Sequence, residues 1–251
     1  MPRLVRHCYQ WADQVVGNSE GVAADLRTII GARRADVRVI YNPVVTPETL
    51  DRAAAPPPHQ GFESGAPPVV LGVGRLTPQK DFVSLVRAFA RVRRTRRARL
   101  MILGEGPERG DLEALVHALS LDEDVLLPGF VENPYAYMSR AALFVLSSRW
   151  EGLPTVLIEA LACGTPVVST DCPSGPSEIL AGGRFGRLVP VKDVTALADA
   201  MTRVLAGERL LPPRESWEPY ELDAVVERYL ALLSARKRTP REANGSSVLQ
   251  Q

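Results

Sequence analysis

The chain has 251 residues, 45% of them hydrophobic and 24% charged, a composition that excludes disordered and fibrous classes. Lys and Arg number 30 against 29 for Asp and Glu, a formal net charge of +1, so no nucleic acid or other polyanion is expected as a partner. Cys8, Cys163 and Cys172 make an odd count without metal-ligand spacing, which points to free thiols in a reducing compartment. The opening MPRLVRHCYQWADQVVG holds no sustained apolar run, so neither a signal peptide nor a membrane span is predicted there and a cytoplasmic location is expected.

In chain order, residues 14–17 (QVVG) predict a short strand. Ser19 stands at an N-cap position, with Val22, Leu26 and Ile29 at helical spacing behind it. DVRVIYNP (36–43) alternates and stops at Asn-Pro. Two strands and a helix cannot close a core alone, so this unit is expected to need a further sheet to join. Residues 46–68 contain AAAPPPHQGFESGAPP and predict an extended linker. From Val69 apolar strands alternate with amphipathic helices. Strands are predicted at 69–74, 99–104, 124–129, 142–147, 166–170 and 187–191. Helices are predicted at 82–95, 111–119, 134–139, 154–163, 176–181 and 194–205. This α/β pattern is that of a doubly wound parallel sheet spanning 69–207. A further helix is predicted near 221–234, within a C-terminal segment 208–235, and the polar tail 236–251 predicts disorder.

Open parallel sheets bind ligands at the carboxyl ends of their strands. Five predicted loops there carry Gly, Pro and charge: GRLTPQKD, GEGPE, GFVENP, SSRWEGLPT and TDCPSGPSE. Arg75 and Lys80 are two cations on one such loop. EGLPT opens a helix whose free N–H groups, those of Thr155 and Val156 included, favour phosphate, with Pro154 suited to the first turn. A diphosphate held by two cations and a helix N-terminus is a stabilised leaving group. Singly, Arg75 and Lys80 would read as a solvated pair and EGLPT as an ordinary helix start. Their joint placement on one sheet edge favours the anion site. Glu151 and Glu159 stand a little over two helical turns apart, so on one helix their carboxylates would share a face about 12 Å apart by rise. A glutamate on so apolar a helix wants a partner, and sugar or ribose hydroxyls are suitable donors. The alternative is that Glu159 belongs to a structural network and Glu151 is solvated.

The ordered pieces VGRLTPQKDF (73–82), LGEGPE (103–108), PGFVENP (128–134), EGLPTVLIEALACGTPVVST (151–170) and DCPSGPSEIL (171–180) resemble the retaining GT-B glycosyltransferases of the group 1 family. The pattern E-x7-E followed by GTPVV is the most distinctive. The resemblance covers about residues 9–235 and implies two Rossmann-like domains, of which 69–207 would bind the nucleotide sugar and 1–45 would be a remnant of the acceptor domain. The 208–235 helix would return towards that domain. By resemblance Arg75 and Lys80 neutralise the diphosphate beside Gly74, Glu151 meets the transferred sugar, and Glu159 holds the ribose. Val131 lies where backbone meets the base, and Gly152, Leu153, Pro154, Thr155 and Val156 line the donor. The resemblance further implies a UDP-sugar as substrate rather than a cofactor, no metal, and a glycan or lipid-linked acceptor in cell-envelope polysaccharide biosynthesis. Transfer would proceed with retention by front-side attack. Family members begin with a whole N-terminal domain, so a missing N-terminal half is expected, and a catalytically incompetent donor-binding module is the alternative function.

Asp122-Glu123-Asp124 fits a D-x-D metal pattern but precedes a predicted strand, at the wrong edge, and reads as a solvated turn. The run RVRRTRRAR (91–99) suits either anionic headgroups at the inner membrane face or, preferred here, a helix C-terminus. His7, His59 and His117 have no partner motif and read as surface residues. Cys163 and Cys172 read as small core or loop residues, and Trp150 either lines the sugar pocket or packs. A Rossmann oxidoreductase is disfavoured, because GVGRLTPQK lacks the last glycine of a dinucleotide turn.

Overall fold

The computed structural model describes residues 8, 9, 11–30, 37–56, 61–63, 65–208 and 211–235. The predicted polar tail, His7 and His59 lie outside them. The first unit is strand β1 (Val15–Gly17), helix α1 (Glu20–Ile30) and strand β2 (Val37–Val39). The two strands pair in parallel with each other and, among the described residues, with no further strand. Ala23, Ile30 and Val37 make a small core of their own. Ser19 caps the helix as expected, its Oγ accepting from the Val22 N–H at 3.2 Å.

The predicted linker is corrected in its first part. Pro47–Ala54 is a helix, α2, because Thr46 and Thr49 form a reciprocal capping box and Pro47 sets the first helical φ. So short a helix shows no apolar period, which is why composition alone read as extended chain. It docks on the segment after the fifth strand. Asn133 Nδ2 donates to the Arg52 carbonyl at 2.9 Å and Ser139 Oγ to that of Ala53 at 2.7 Å.

The main body is a six-stranded sheet made of β3 (Val69–Val73), β4 (Arg99–Leu103), β5 (Val125–Gly129), β6 (Leu143–Leu146), β7 (Val167–Thr170) and β8 (Arg187–Val189). All five pairings are parallel, in the order β5-β4-β3-β6-β7-β8. That order is the doubly wound one. The chain reverses direction between β3 and β6, and the crevice outside their carboxyl ends is where such sheets take ligands.

Helices cover both faces. One core joins α3 (Phe82–Arg93), α4 (Arg109–Ala118) and α8 (Val194–Leu205) to the sheet through Phe89, Leu112 and Met201. The other joins α5 (Tyr135–Met138), α6 (Thr155–Ala162) and α7 (Pro176–Ile179) through Tyr137, Leu157 and Ile179. Strands buried on both faces explain the continuous apolar runs in the sequence. The last helix, α9 (Leu222–Ala235), follows a bridge between Val45 and Glu221. Among its apolar residues Val225 is buried, while Leu222, Val226, Tyr229, Leu230 and Leu233 are exposed. No helix among the described residues is long and apolar enough to cross a membrane.

Candidate functional site

The five Gly- and Pro-rich loops gather at the carboxyl edge, as parallel strands require. Two of them flank the switch point, 74–81 after β3 and 147–154 after β6. Lys80 Nζ meets Glu151 Oε1 at 2.6 Å, and both side chains are largely buried. Ser148 Oγ donates to the same carboxylate oxygen at 2.6 Å. Glu151 is not on helix α6, which begins at Thr155. The expected shared helical face with Glu159 is therefore corrected. The Gly-Leu-Pro turn holds Glu151 in the loop, where its partner is a lysine 71 positions upstream.

The Lys80 stem lies over Gly74, close enough that a Cβ there would be 3.2 Å from Lys80 Cε. The side chain of Arg75, beside it, is exposed and makes no hydrogen bond or ion pair among the described residues. It lines a cavity of about 370 Å³ with Gly74, Gly104, Glu105, Phe130, Val131 and Pro134. Gly104 is required at the cavity floor, since a side chain there would overlap the Gly74 carbonyl. Val131, expected near the base, is thus one of the residues lining this cavity. Glu105 and Phe130 were missed, although their loops were singled out. Glu105 is held by Arg109 in a paired hydrogen bond of 2.7 and 2.9 Å, and Phe130 is 79% exposed at the rim. The motif letters GEGPE and GFVENP carried that signal.

Helix α6 points its N-terminus at the crevice. Pro154 occupies its N-cap without a side-chain cap, so no capping side chain takes the N–H groups of Thr155 and Val156. Gly175, with φ near 100°, packs against Pro154 where a Cβ would collide with the ring, and so fixes the approach of the 171–175 loop. The carboxylate of Glu159, one turn further into the helix, has no hydrogen-bond partner among the described residues. Burial pushes its carboxyl up to about 7. Its charge reaches Tyr135 and Cys163.

Burial pushes the thiol of Cys163 up to about 12 and that of Cys172 to about 11, with the charge of the nearby glutamate adding to each. Both are therefore protonated packing groups rather than nucleophiles. Trp150 is half exposed beside Glu151. Asp122 and Asp124 sit just before β5, far from these loops in the topology. Asp124 pairs with Arg93 at 2.8 Å and Asp122 with His117 at 3.2 Å. Arg91 and Arg93 close the last turn of α3.

Such a sheet order defines a Rossmann-like domain, with Arg75, Lys80 and the N-terminus of α6 placed at its switch point. Residues 67–207 match the family profile described as Glycosyl transferases group 1. The chain belongs to that family. It is 35% identical over 209 residues to the N-acetylgalactosamine-N,N'-diacetylbacillosaminyl-diphospho-undecaprenol 4-alpha-N-acetylgalactosaminyltransferase of Campylobacter jejuni, covering 82% of this chain and 54% of that one. It is 30% identical to the lipopolysaccharide 1,6-galactosyltransferase of Salmonella typhimurium, covering 80% and 55%. The chain spans about half the length of these curated relatives. Among solved structures, the apo lipopolysaccharide outer core galactosyltransferase WaaB superimposes with a TM-score of 0.73 at 26% identity, covering 91% of this chain and 64% of that one. The Anabaena protein HepE in complex with UDP shares the fold, with a TM-score of 0.80 at 21% identity over 93% and 67%.

Proposed function

We propose that the chain holds a nucleotide sugar, a UDP-sugar first of all, along the carboxyl edge of its sheet and serves retaining transfer of the sugar to a glycan or lipid-linked acceptor in cell-envelope polysaccharide biosynthesis. The observation that carries this reading is the Lys80–Glu151 pair at the switch point, flanked by the unpartnered Arg75 and the uncapped N-terminus of α6. The names of the relatives, which act on a diphospho-undecaprenol substrate and on lipopolysaccharide, support the acceptor class.

In this reading the base enters the cavity by Phe130 and Val131, and the ribose hydroxyls donate to Glu159, supplying the partner that a buried carboxylate wants. Arg75, Lys80 and the N–H groups of Thr155 and Val156 take the diphosphate, next to Gly74 and the Gly152-Leu153-Pro154 turn. Glu151 accepts from hydroxyls of the transferred sugar. The bond from the anomeric carbon to the diphosphate oxygen breaks, and the acceptor oxygen bonds to the same face. The departing phosphate oxygen takes the acceptor proton. Fixed positive charge stabilises the developing diphosphate, so no metal is required.

Calorimetric titration with UDP and a panel of nucleotide sugars tests this. Binding that persists in chelator, and tighter binding of one UDP-sugar than of its competitors, is expected. Binding that vanishes with chelator and returns with magnesium or manganese would overturn the metal-independent reading. No binding of any nucleoside diphosphate would overturn the whole.

A further inference from the structure

The loops that carry Lys80 and Glu151 are joined by a second charge pair. Arg149 Nη2 donates to Asp81 Oδ1 at 3.0 Å. Asp81 directly follows Lys80, and Arg149 lies two residues before Glu151. The Asp81 side chain is 1% exposed, and its other oxygen accepts from Ser84 Oγ at 2.9 Å. Asp81 stands at the N-cap of α3, yet its carboxylate makes no capping bond, and its backbone is left-handed with φ 49° and ψ 45°. A left-handed non-glycine residue persists where its surroundings over-determine it.

Three further bonds run between the same two loops. The Arg149 N–H donates to the Gln79 carbonyl at 2.8 Å. Gln79 Nε2 donates to the Trp150 carbonyl at 2.9 Å, and Ser147 Oγ to that of Lys80 at 2.7 Å. The 104–108 loop closes the cluster. The Glu108 carboxylate lies close enough to feel the charges of Arg149 and Asp81. Arg149 Nε and Glu108 Oε2 are both buried without hydrogen-bond partners. Desolvating charges in this way is a poor source of stability. It is a good way to fix one geometry, because a carboxylate buried to this depth tolerates few positions of its partner.

We propose that Arg149, acting through Asp81, is a positioning residue that holds Lys80 Nζ and the Glu151 carboxylate in register, and so sets the diphosphate-binding geometry; this deepens the function proposed above and rests on it only for the ligand. The clamp acts on Lys80 through the chain, one residue away, and on Glu151 from the other side. Loss of the pair leaves the three other bonds to hold the 75–81 loop, which loosens it and lets the ammonium move out of the crevice.

The chain has three lysines, Lys80, Lys192 and Lys237, which makes Lys80 readable by amine labelling and peptide mass spectrometry without any nucleotide. Lys192 is exposed and serves as the internal reference. In the native chain Lys80 is expected to label several-fold more slowly than Lys192. In Arg149→Gln its rate should rise towards that of Lys192, with Arg149→Lys intermediate and Lys192 unchanged. Arg149→Gln leaves a buried carboxylate unpaired and can unfold the chain. The double variant Asp81→Asn/Arg149→Gln removes both charges, and asparagine tolerates the left-handed backbone. A folded double variant in which Lys80 stays as protected as in the native chain overturns the proposal.

UDP titration supplies the second arm. Arg149→Gln should weaken binding about tenfold with Lys80 present, the scale of one charged hydrogen bond. In a Lys80→Ala background the same change should cost less than about twofold, because residues acting through one group are non-additive. Equal losses in both backgrounds would mean a merely structural pair and would also overturn the proposal. A native chain that binds no UDP refutes the proposed function instead, and the labelling arm then decides the positioning role alone.

Discussion

Replacing Glu159 by glutamine separates the energetic cost of this carboxylate from its use. Burial raises it from its ordinary 4.5 to about 7. At about 1.4 kcal/mol per pH unit, that rise is roughly 3 kcal/mol against the ionised form in the folded chain. The folded value lies above the unfolded one, so the folded state binds the extra proton between the two. The stability this confers is fully present below about pH 4.5 and is lost as pH rises through about 7. Glutamine carries no charge at any pH, so whatever the amide itself costs is a constant offset. The unfolding temperature of Glu159→Gln minus that of the native chain should therefore climb by roughly 6–12 °C between about pH 4 and pH 8, at about 2–4 °C per kcal/mol for a chain of this size. UDP affinity should move the other way. Ribose hydroxyls bind the ionised carboxylate better than the amide, and native binding should release a proton near neutral pH. Thermal unfolding at several pH values and calorimetry in two buffers of different ionisation heat read both effects. A temperature difference that does not change with pH would refute burial as the cause. Native UDP affinity in the variant would refute the ribose role.

Arg75→Ala should leave the unfolding temperature unchanged, since the side chain is exposed and unpartnered, while weakening UDP roughly ten- to hundredfold, the worth of one charged hydrogen bond. Calorimetry and a thermal melt check the two halves. Glu151→Gln should weaken a UDP-sugar more than UDP, read as a ratio of the two dissociation constants, and an equal loss for both would reassign the residue. The exposed stripe of Leu222, Val226, Tyr229, Leu230 and Leu233 on α9 should drive concentration-dependent association. Leu230→Glu with Leu233→Glu should shift sedimentation towards the monomer, and an unchanged profile would show that the stripe is inert.

Much of this architecture was legible because its signals are local. Short runs rich in valine and leucine place the six strands to within one or two residues of where they lie. Parallel connection then forces the five loops to one edge without any knowledge of their contacts. What stayed hidden depends on chain order in space. Nothing in the sequence says that β3 and β6 are neighbours, 70 being paired with 143, so the joining of Lys80 to Glu151 and of Asp81 to Arg149 could not be read. Helical rise let Glu151 be given a face in common with Glu159, although the helix starts four residues after Glu151. Helix α2 escaped for a different reason. Its capping box is written in Thr-Pro-Glu-Thr, with a threonine where the usual signature has Glu or Gln, and the proline-rich stretch behind it dominated the composition.

The Lys80–Glu151 pair gives the site an asymmetry that the two cations lacked on paper. An ammonium carries three donors, so Lys80 can keep Glu151 and still bind a phosphate oxygen. Removing it does more than delete one cation, because Glu151, with 8% of its side chain exposed, is left as an unpaired anion beside the place proposed for the diphosphate. Truncating one member of a buried pair costs chiefly through the charge left behind. Lys80→Ala should therefore weaken UDP more than Arg75→Ala does and should also lower the unfolding temperature, which Arg75→Ala should not. Adding Glu151→Gln to Lys80→Ala removes the stranded charge and should return about tenfold of the lost UDP affinity, together with most of the thermal stability. That recovery, measured by calorimetry and thermal melting on the same four proteins, is the signature of a pair that works as a unit. If the double variant binds UDP no better than Lys80→Ala, the carboxylate does not face the phosphates, and the diphosphate must lie further along the edge, towards Arg75 and the cavity.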